Sequence, residues 1–148
     1  MKNVKIDRMV FRPKINQMSI NKIFKTMNLQ YEKHVEDKRG KILFFSLGDK
    51  KFNIVETKKG FARGGHFHNF SSTHILLYGK MEITEENLNN GVEQTKKISA
   101  PTIINVDQNI AHLFLAIEDS VFIEIFEGKY QATDHPKYRK TVEELARE

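Results

Sequence analysis

The apolar residues of this chain keep two rhythms. Before residue 30 they fall at Ile20, Ile23, Phe24 and Met27, the spacing of one helical stripe, with Ser19 placed to cap the first turn. From Lys41 onward they gather into short β-branched or aromatic runs: Ile42 to Phe45, Phe52 to Val55, Ile75 to Tyr78, Ile103-Ile104, Leu113 to Leu115 and Val121 to Ile123. Runs of this kind, bounded by polar or glycine-containing breaks, predict strands. Gly40, Gly48, Gly60, Gly79 and Asn90-Gly91 occupy the breaks, and Asn-Gly is a strong hairpin signal. After Asp134-His135-Pro136, Tyr138, Val142 and Leu145 return to helical spacing among charges, which predicts a surface helix starting near Pro136. Short, evenly spaced strands without intervening helices favour an all-β sandwich or barrel over a βαβ sheet.

Composition narrows the chemistry. A length of 148 residues suits one domain, and three prolines without a linker-like stretch argue against a second. With no cysteine there is no disulfide, no thiolate metal site and no cysteine nucleophile, so any metal must be held by His, Asp or Glu. The net charge of +5 is local: residues 1–36 carry eight basic and three acidic side chains, and the remainder balances. This basic arm lacks the arginine density and interleaved aromatics of a nucleic-acid surface, so no nucleic-acid partner is expected. No stretch approaches the ~18 apolar residues that cross a bilayer, and the first thirty residues lack the apolar segment of a signal peptide. The expectation is a cytoplasmic protein with a small-molecule partner. Phosphate-cradling Gly-x-x-x-x-Gly-Lys and nucleophile-bearing Gly-x-Ser-x-Gly motifs are both missing from the sequence.

Histidines carry the remaining signal. His66 and His68 stand two apart, and on an extended backbone alternate side chains share a face, so both imidazoles can address one point. Their setting, Gly60, five residues, His66-Phe67-His68 and then Gly79 closing an apolar run, resembles the first motif of the cupins, G(X)5HXH(X)3-4E(X)6G. Ser72 holds the position of the motif's glutamate. In the second motif, G(X)5PXG(X)2H(X)3N, His112 matches the histidine, while Pro101, Asp107, Asn109 and Ala116 stand where Gly, Pro, Gly and Asn belong. The resemblance implies a single-domain cupin jelly roll, a double-stranded β-helix with the histidines inside its mouth. It divides the chain into a basic arm with a short helix (1–36), the β-barrel (37–128) and a tail with a helix (129–148).

Within the cupins the chain is most similar to the sugar-nucleotide branch of 3,4-ketoisomerases and epimerases. Asp37-Lys38-Arg39-Gly40 resembles the D-x-R-G that opens the body there, Arg63-Gly64-Gly65-His66-Phe67-His68 resembles R-G-G-H-A-H, and Glu127 to Arg139 resembles the polar, Tyr-containing tail. That likeness implies an isomerase of keto-sugar nucleotides that needs no cofactor. His66 and His68 would be the acid/base pair, suited to it by a pKa near neutrality, and Arg63 would hold an anionic oxygen. The competing reading is a metal-dependent cupin, a dioxygenase or isomerase, with Zn, Fe, Mn or Ni on His66, His68 and His112 and with His74 as a further donor. A third reading keeps the barrel as a non-catalytic binding module. Asp107, Glu82 and Glu124 are candidates to orient a histidine, His34 and His135 are expected at the surface, and Phe44, Phe45, Phe114, Phe122 and Phe126 in the core or an interface. Because open sheets need their edges covered, a homodimer is expected.

Overall fold

A computed structural model of the protein describes residues 28–127 and 129–147. The helix expected around Ile20 to Met27 lies outside those residues. The described chain is built of antiparallel strands in two sheets, closed by one helix. The larger sheet comprises β1 (Leu29–Asp37), β2 (Gly40–Leu47), β3 (Lys50–Thr57), β10 (Ser120–Glu127), β5 (Ser72–Tyr78) and β8 (Thr102–Val106), in that order across it. The smaller comprises β11 (Thr133–Asp134), β4 (Ala62–Phe67), β9 (Ile110–Ala116), β6 (Lys80–Asn87) and β7 (Val92–Ser99). Every strand pair is antiparallel, with strand-to-strand crossovers between sheets, as the jelly-roll reading requires.

The core lies between the sheets. Val55, Leu76, Ile104, Val106 and Phe122 of the larger sheet meet Met81, Ile83, Phe114 and Ala116 of the smaller. Alternation along each strand explains the division, since inward Phe122 and Phe126 are separated by Ile123 and Ile125 on the opposite face. Helix α1 (Pro136–Leu145) starts at Pro136 and lays Tyr138 and Val142 on the smaller sheet at β4. Tyr138 donates to Glu93 Oε2 at 2.7 Å. His135, expected at the surface, is instead largely covered: it packs on Tyr138 with ring centroids 4.4 Å apart and lies 3.2 Å from Glu86 Oε2. Its place immediately before the helix brings it under that turn. His34 is exposed, as expected.

Two turns sit at glycine positions of the motifs, one keeping the glycine and one replacing it. Gly79 has φ +88°, and a Cβ there would stand 2.2 Å from the Asp119 carbonyl oxygen, so only glycine fits. Asn109 has φ +61° at the position where the second motif carries glycine. Asparagine tolerates that left-handed conformation, and the Asn109 N–H donates to the His68 carbonyl at 2.8 Å, tying the second motif to the first.

Candidate functional site

The site is assembled by one irregularity in β4. Arg63 lies opposite Phe114, and His66 lies opposite His112, with a register shift between Gly64 and His66. Phe114 and His112 are two apart on β9 and face the same side, so Arg63 and His66, three apart, face it too. Strict alternation would have put one of them outside. Gly64 and Gly65 make the bulge available, with φ +84° and +81°. A Cβ on Gly64 would stand 2.7 Å from the His112 carbonyl oxygen, and one on Gly65 would press at 3.1 Å on the backbone of Arg139 in α1. The double glycine thus serves ring placement and helix docking together.

His66, His68 and His112 converge: one ring nitrogen from each lies within 4.8 Å of the others. Their ring centroids are 4.7 to 5.3 Å apart. The His68 Nδ1–H donates to the Gln131 carbonyl at 2.7 Å, and the His112 Nδ1–H to the Ile110 carbonyl at 3.1 Å. A carbonyl can only accept, so each neutral ring carries its proton on Nδ1 and keeps an Nε2 lone pair. Both Nε2 atoms are buried without a hydrogen-bond partner. Burial lowers the pKa of His112 to about 3, helped by neighbouring His66 and His74. Burial and then His68 lower that of His66 to about 4. His68 is lowered too, chiefly by burial. The group is therefore neutral and electron-donating near pH 7.

The larger sheet faces this group with a polar row. Asn53, Glu124 and His74 are neighbours across β3, β10 and β5. Asn53 Nδ2 donates to Glu124 Oε2 at 3.1 Å, and His74 Nε2 is 3.5 Å from Glu124 Oε1. Burial would raise the pKa of Glu124, but the hydrogen bond and charge of His74, with Asn53 and His68, outweigh it and hold the value at about 2. His68 Nε2 lies 4.0 Å from the same Glu124 oxygen. His74 therefore sits beside Glu124 and outside the close group of three, while its ring still touches those of His112 and Phe114.

Arg63 is buried. Its Nη2 donates to the Glu56 carbonyl at 3.2 Å and lies 3.9 Å from Asp37, while its Nε has no hydrogen-bond partner. Arg63, His66, His74, His112, Glu124 and Tyr130 all border a cavity of about 90 Å³. Ligand pockets for drug-sized molecules run to roughly 300 Å³ or more, so only a few heavy atoms fit here. Tyr130 stands at its rim, with its hydroxyl 3.4 Å from His66 Nε2, and burial raises its pKa. It also borders an outer hollow of about 290 Å³ with Phe44, Phe45, Lys33, Lys51 and Lys129. Ser72, at the motif's glutamate position, is buried with an unpartnered hydroxyl.

Sequence reasoning named Glu124 without placing it, and did not single out Asn53 or Tyr130. Glu124 carried a signal, because a carboxylate between Phe122 and Phe126 falls on the inward phase of its strand. Tyr130 entered only through the likeness of the tail. The other two carboxylates considered for orienting a histidine lie elsewhere: Glu82 is 4.0 Å from Lys97, and Asp107 is exposed in the turn before β9.

No family model matches the chain, and no curated protein matches its sequence. Solved structures do match by shape. CapF of Staphylococcus aureus, a capsular polysaccharide assembling protein, superposes with a TM-score of 0.59 at 18% identity over 70% of this chain and 30% of its own. Oxalate decarboxylase of Bacillus subtilis, described with Mn(II) centres, gives 0.62 at 21% over 70% and 30%. The Lactobacillus farciminis oxalate decarboxylase, in a formate complex, gives 0.62 at 20% over 74% and 35%. The chain spans about a third of the length of these proteins.

Proposed function

Starting from the cupin fold that the chain shares with CapF and oxalate decarboxylase, we propose that the protein is a metal-dependent cupin with a mononuclear centre on His66, His68 and His112, acting on the small oxygen-bearing end of an organic substrate. The observation that carries this reading is the pair of buried, unpartnered Nε2 atoms on His68 and His112, each ring fixed through its Nδ1–H. A ring held through its far nitrogen in this way is oriented as a ligand and gains donor strength. Three neutral nitrogens suit Zn, Mn, Fe or Ni and leave positions open. Such an ion, when bound, supplies Lewis-acid polarisation of a substrate oxygen.

The chain's own groups complete the chemistry. Glu124 remains ionised, held by Asn53 and His74, and can accept a proton from a group in the cavity. Tyr130 keeps its phenolic proton and can donate it at the rim. Arg63 can offer its unpartnered Nε to an anionic oxygen.

The second reading is the cofactor-free isomerase of a keto-sugar nucleotide. It is favoured by the closeness of the Tyr130 hydroxyl to His66 Nε2, which brings two proton-transfer groups to one rim of the cavity. Its nucleotide would lie in the outer hollow among the lysines. In that reading His66 takes the proton from the carbon α to the ketone, giving an enediolate, and delivers it to the former carbonyl carbon, while Tyr130 relays the α-hydroxyl proton to the former carbonyl oxygen, so the ketone moves one position with no net change in protons.

Metal analysis of protein purified without an affinity tag, then titrated with Zn, Mn, Fe(II) and Ni, separates the two. One ion per chain, with affinity reduced by about 10-fold or more in His112→Ala, is the expected result. No binding by any of the four would refute the metal reading. Turnover of a keto-sugar nucleotide by chelator-treated protein, lost in His66→Asn, would establish the second.

A further inference from the structure

Two hollows adjoin at one side chain. Among the described residues, Tyr130 alone borders both the inner cavity of about 90 Å³ and the outer hollow of about 290 Å³. On the sheet side the boundary is a hydrogen bond: Asn53 borders the outer hollow, and Glu124, to which it donates, borders the inner cavity. On the tail side it is the Tyr130 ring, which makes T-shaped contacts with Phe126 at 5.1 Å and His68 at 5.2 Å between centroids. The backbone that follows is pinned. The Gln131 carbonyl accepts the His68 Nδ1–H at 2.7 Å, Thr133 and Asp134 pair with Phe67 and His66, and the His135 N–H donates to the Gly65 carbonyl at 2.9 Å. A tyrosine has only two side-chain torsions to fix, so a pinned backbone holds its ring at small entropic cost.

We propose that Tyr130 is the specificity-determining residue of this site: its ring narrows the passage between the two hollows, so that a slender, unbranched end of a molecule reaches the imidazoles and a branched end is stopped. What such an end binds to rests on the metal reading, whereas the barrier itself does not. Selection by a constriction works through rejection of the wrong shape and asks for no extra contact to the right one. The hydroxyl, 3.4 Å from His66 Nε2, carries the same ring up to the histidine group, so whatever passes Tyr130 arrives there directly.

Size agrees. The inner cavity is far below the roughly 300 Å³ of a drug-sized pocket, and the two spaces joined would exceed it. Phe44 and Phe126 line the outer hollow and can take the aliphatic remainder of a molecule whose end has passed the ring. Tyr130 is 42% exposed, so its truncation opens the passage without emptying the core.

The test pairs two probes that differ only in shape. Pentanoate and pivalate are isomers of equal charge, one unbranched and the other branched at the carbon next to the carboxylate. The full chain is loaded with Co(II), whose visible spectrum changes when a ligand enters its coordination sphere, and is titrated with each. Wild type should bind pentanoate about 10-fold or more tighter than pivalate, Tyr130→Ala should lose that preference, and Tyr130→Phe, which keeps the ring without the hydroxyl, should retain it. A metal-free readout stands beside it: carbethoxylation of individual histidines by diethyl pyrocarbonate, followed by mass spectrometry. His66 should react several-fold faster in Tyr130→Ala and close to the wild-type rate in Tyr130→Phe, while exposed His34 and covered His135 keep their rates. If no Co(II) binds, the metal reading fails and the carbethoxylation rates alone decide the barrier. A preference that survives in Tyr130→Ala or is lost in Tyr130→Phe overturns the proposal, as does a His66 rate unchanged by Tyr130→Ala. A faster reaction at His135 overturns it too, since the whole tail, and not the ring, would then be the barrier.

Discussion

Acidification should unfold the metal-free protein early, because the cavity is lined by imidazoles that the fold keeps neutral. His66 and His112 have pKa values of about 4 and about 3 against an ordinary 6.5, first because they are buried and then because other histidines crowd them. Between its folded and unfolded pKa, such a ring binds its proton only in the unfolded chain. Its contribution is therefore complete above about pH 6.5 and is lost as pH falls towards the folded value. Each ring changes the unfolding free energy by about 1.4 kcal/mol per pH unit in that interval, so the pair removes about 4 kcal/mol between pH 7 and 5. That is a large share of the roughly 5–15 kcal/mol typical of a domain. His68 is shifted in the same direction and adds to the slope. Glu124, lowered to about 2, contributes stability that is present above its unfolded pKa near 4.5 and lost only as pH falls towards 2, so it leaves this window nearly untouched. Urea unfolding of chelator-treated protein at half-unit steps from about pH 7.5 to 5 measures the slope directly. His112→Asn should reduce it by about one proton. A wild-type stability that is flat over the window, or a slope that the variant leaves intact, would refute the assignment of buried, neutral rings.

Three further outcomes follow from single contacts. Gly64→Ala should cost about 2 kcal/mol or more in urea unfolding and should abolish metal binding, because its methyl group would enter a left-handed backbone and press on the His112 carbonyl. Asn53→Leu removes the donor to Glu124 Oε2 and leaves a buried carboxylate oxygen unmatched, so a loss of about 1–3 kcal/mol at pH 7 is expected from denaturant titration. Leu76→Ala, at a fully buried position in the middle of the core, should cost about 2–5 kcal/mol in the same assay while the stoichiometry of bound metal stays at the wild-type value.

The strands legible in the sequence are those whose residues are apolar on both faces. β2, β3, β5 and β10 read as unbroken runs because one face fills the core and the other forms an open apolar surface, so period and composition agree. β1 and β7 carry almost no apolar run, since they are exposed along nearly their whole length, and only pairing with a neighbour makes them strands. β6 alternates Met81, Ile83 and Glu85 inward with polar residues outward, a pattern that Asn90-Gly91 then turns back into β7.

The histidine site was legible in part for a related reason. Spacing alone placed His66 with His68 on an extended segment, and motif spacing added His112, and these three do converge. Strict alternation, however, assigns Arg63 to the face opposite His66, and nothing in the residue types reverses that except Gly64-Gly65. Two adjacent glycines inside a strand weaken it unless the backbone needs conformations that other residues resist. Here both have positive φ, and the bulge they form slips the register by one residue. That slip carries Arg63 inward, beside the cavity that the imidazoles share with Glu124. Substitution of either glycine thus acts on chemistry and fold together, through the register of one strand.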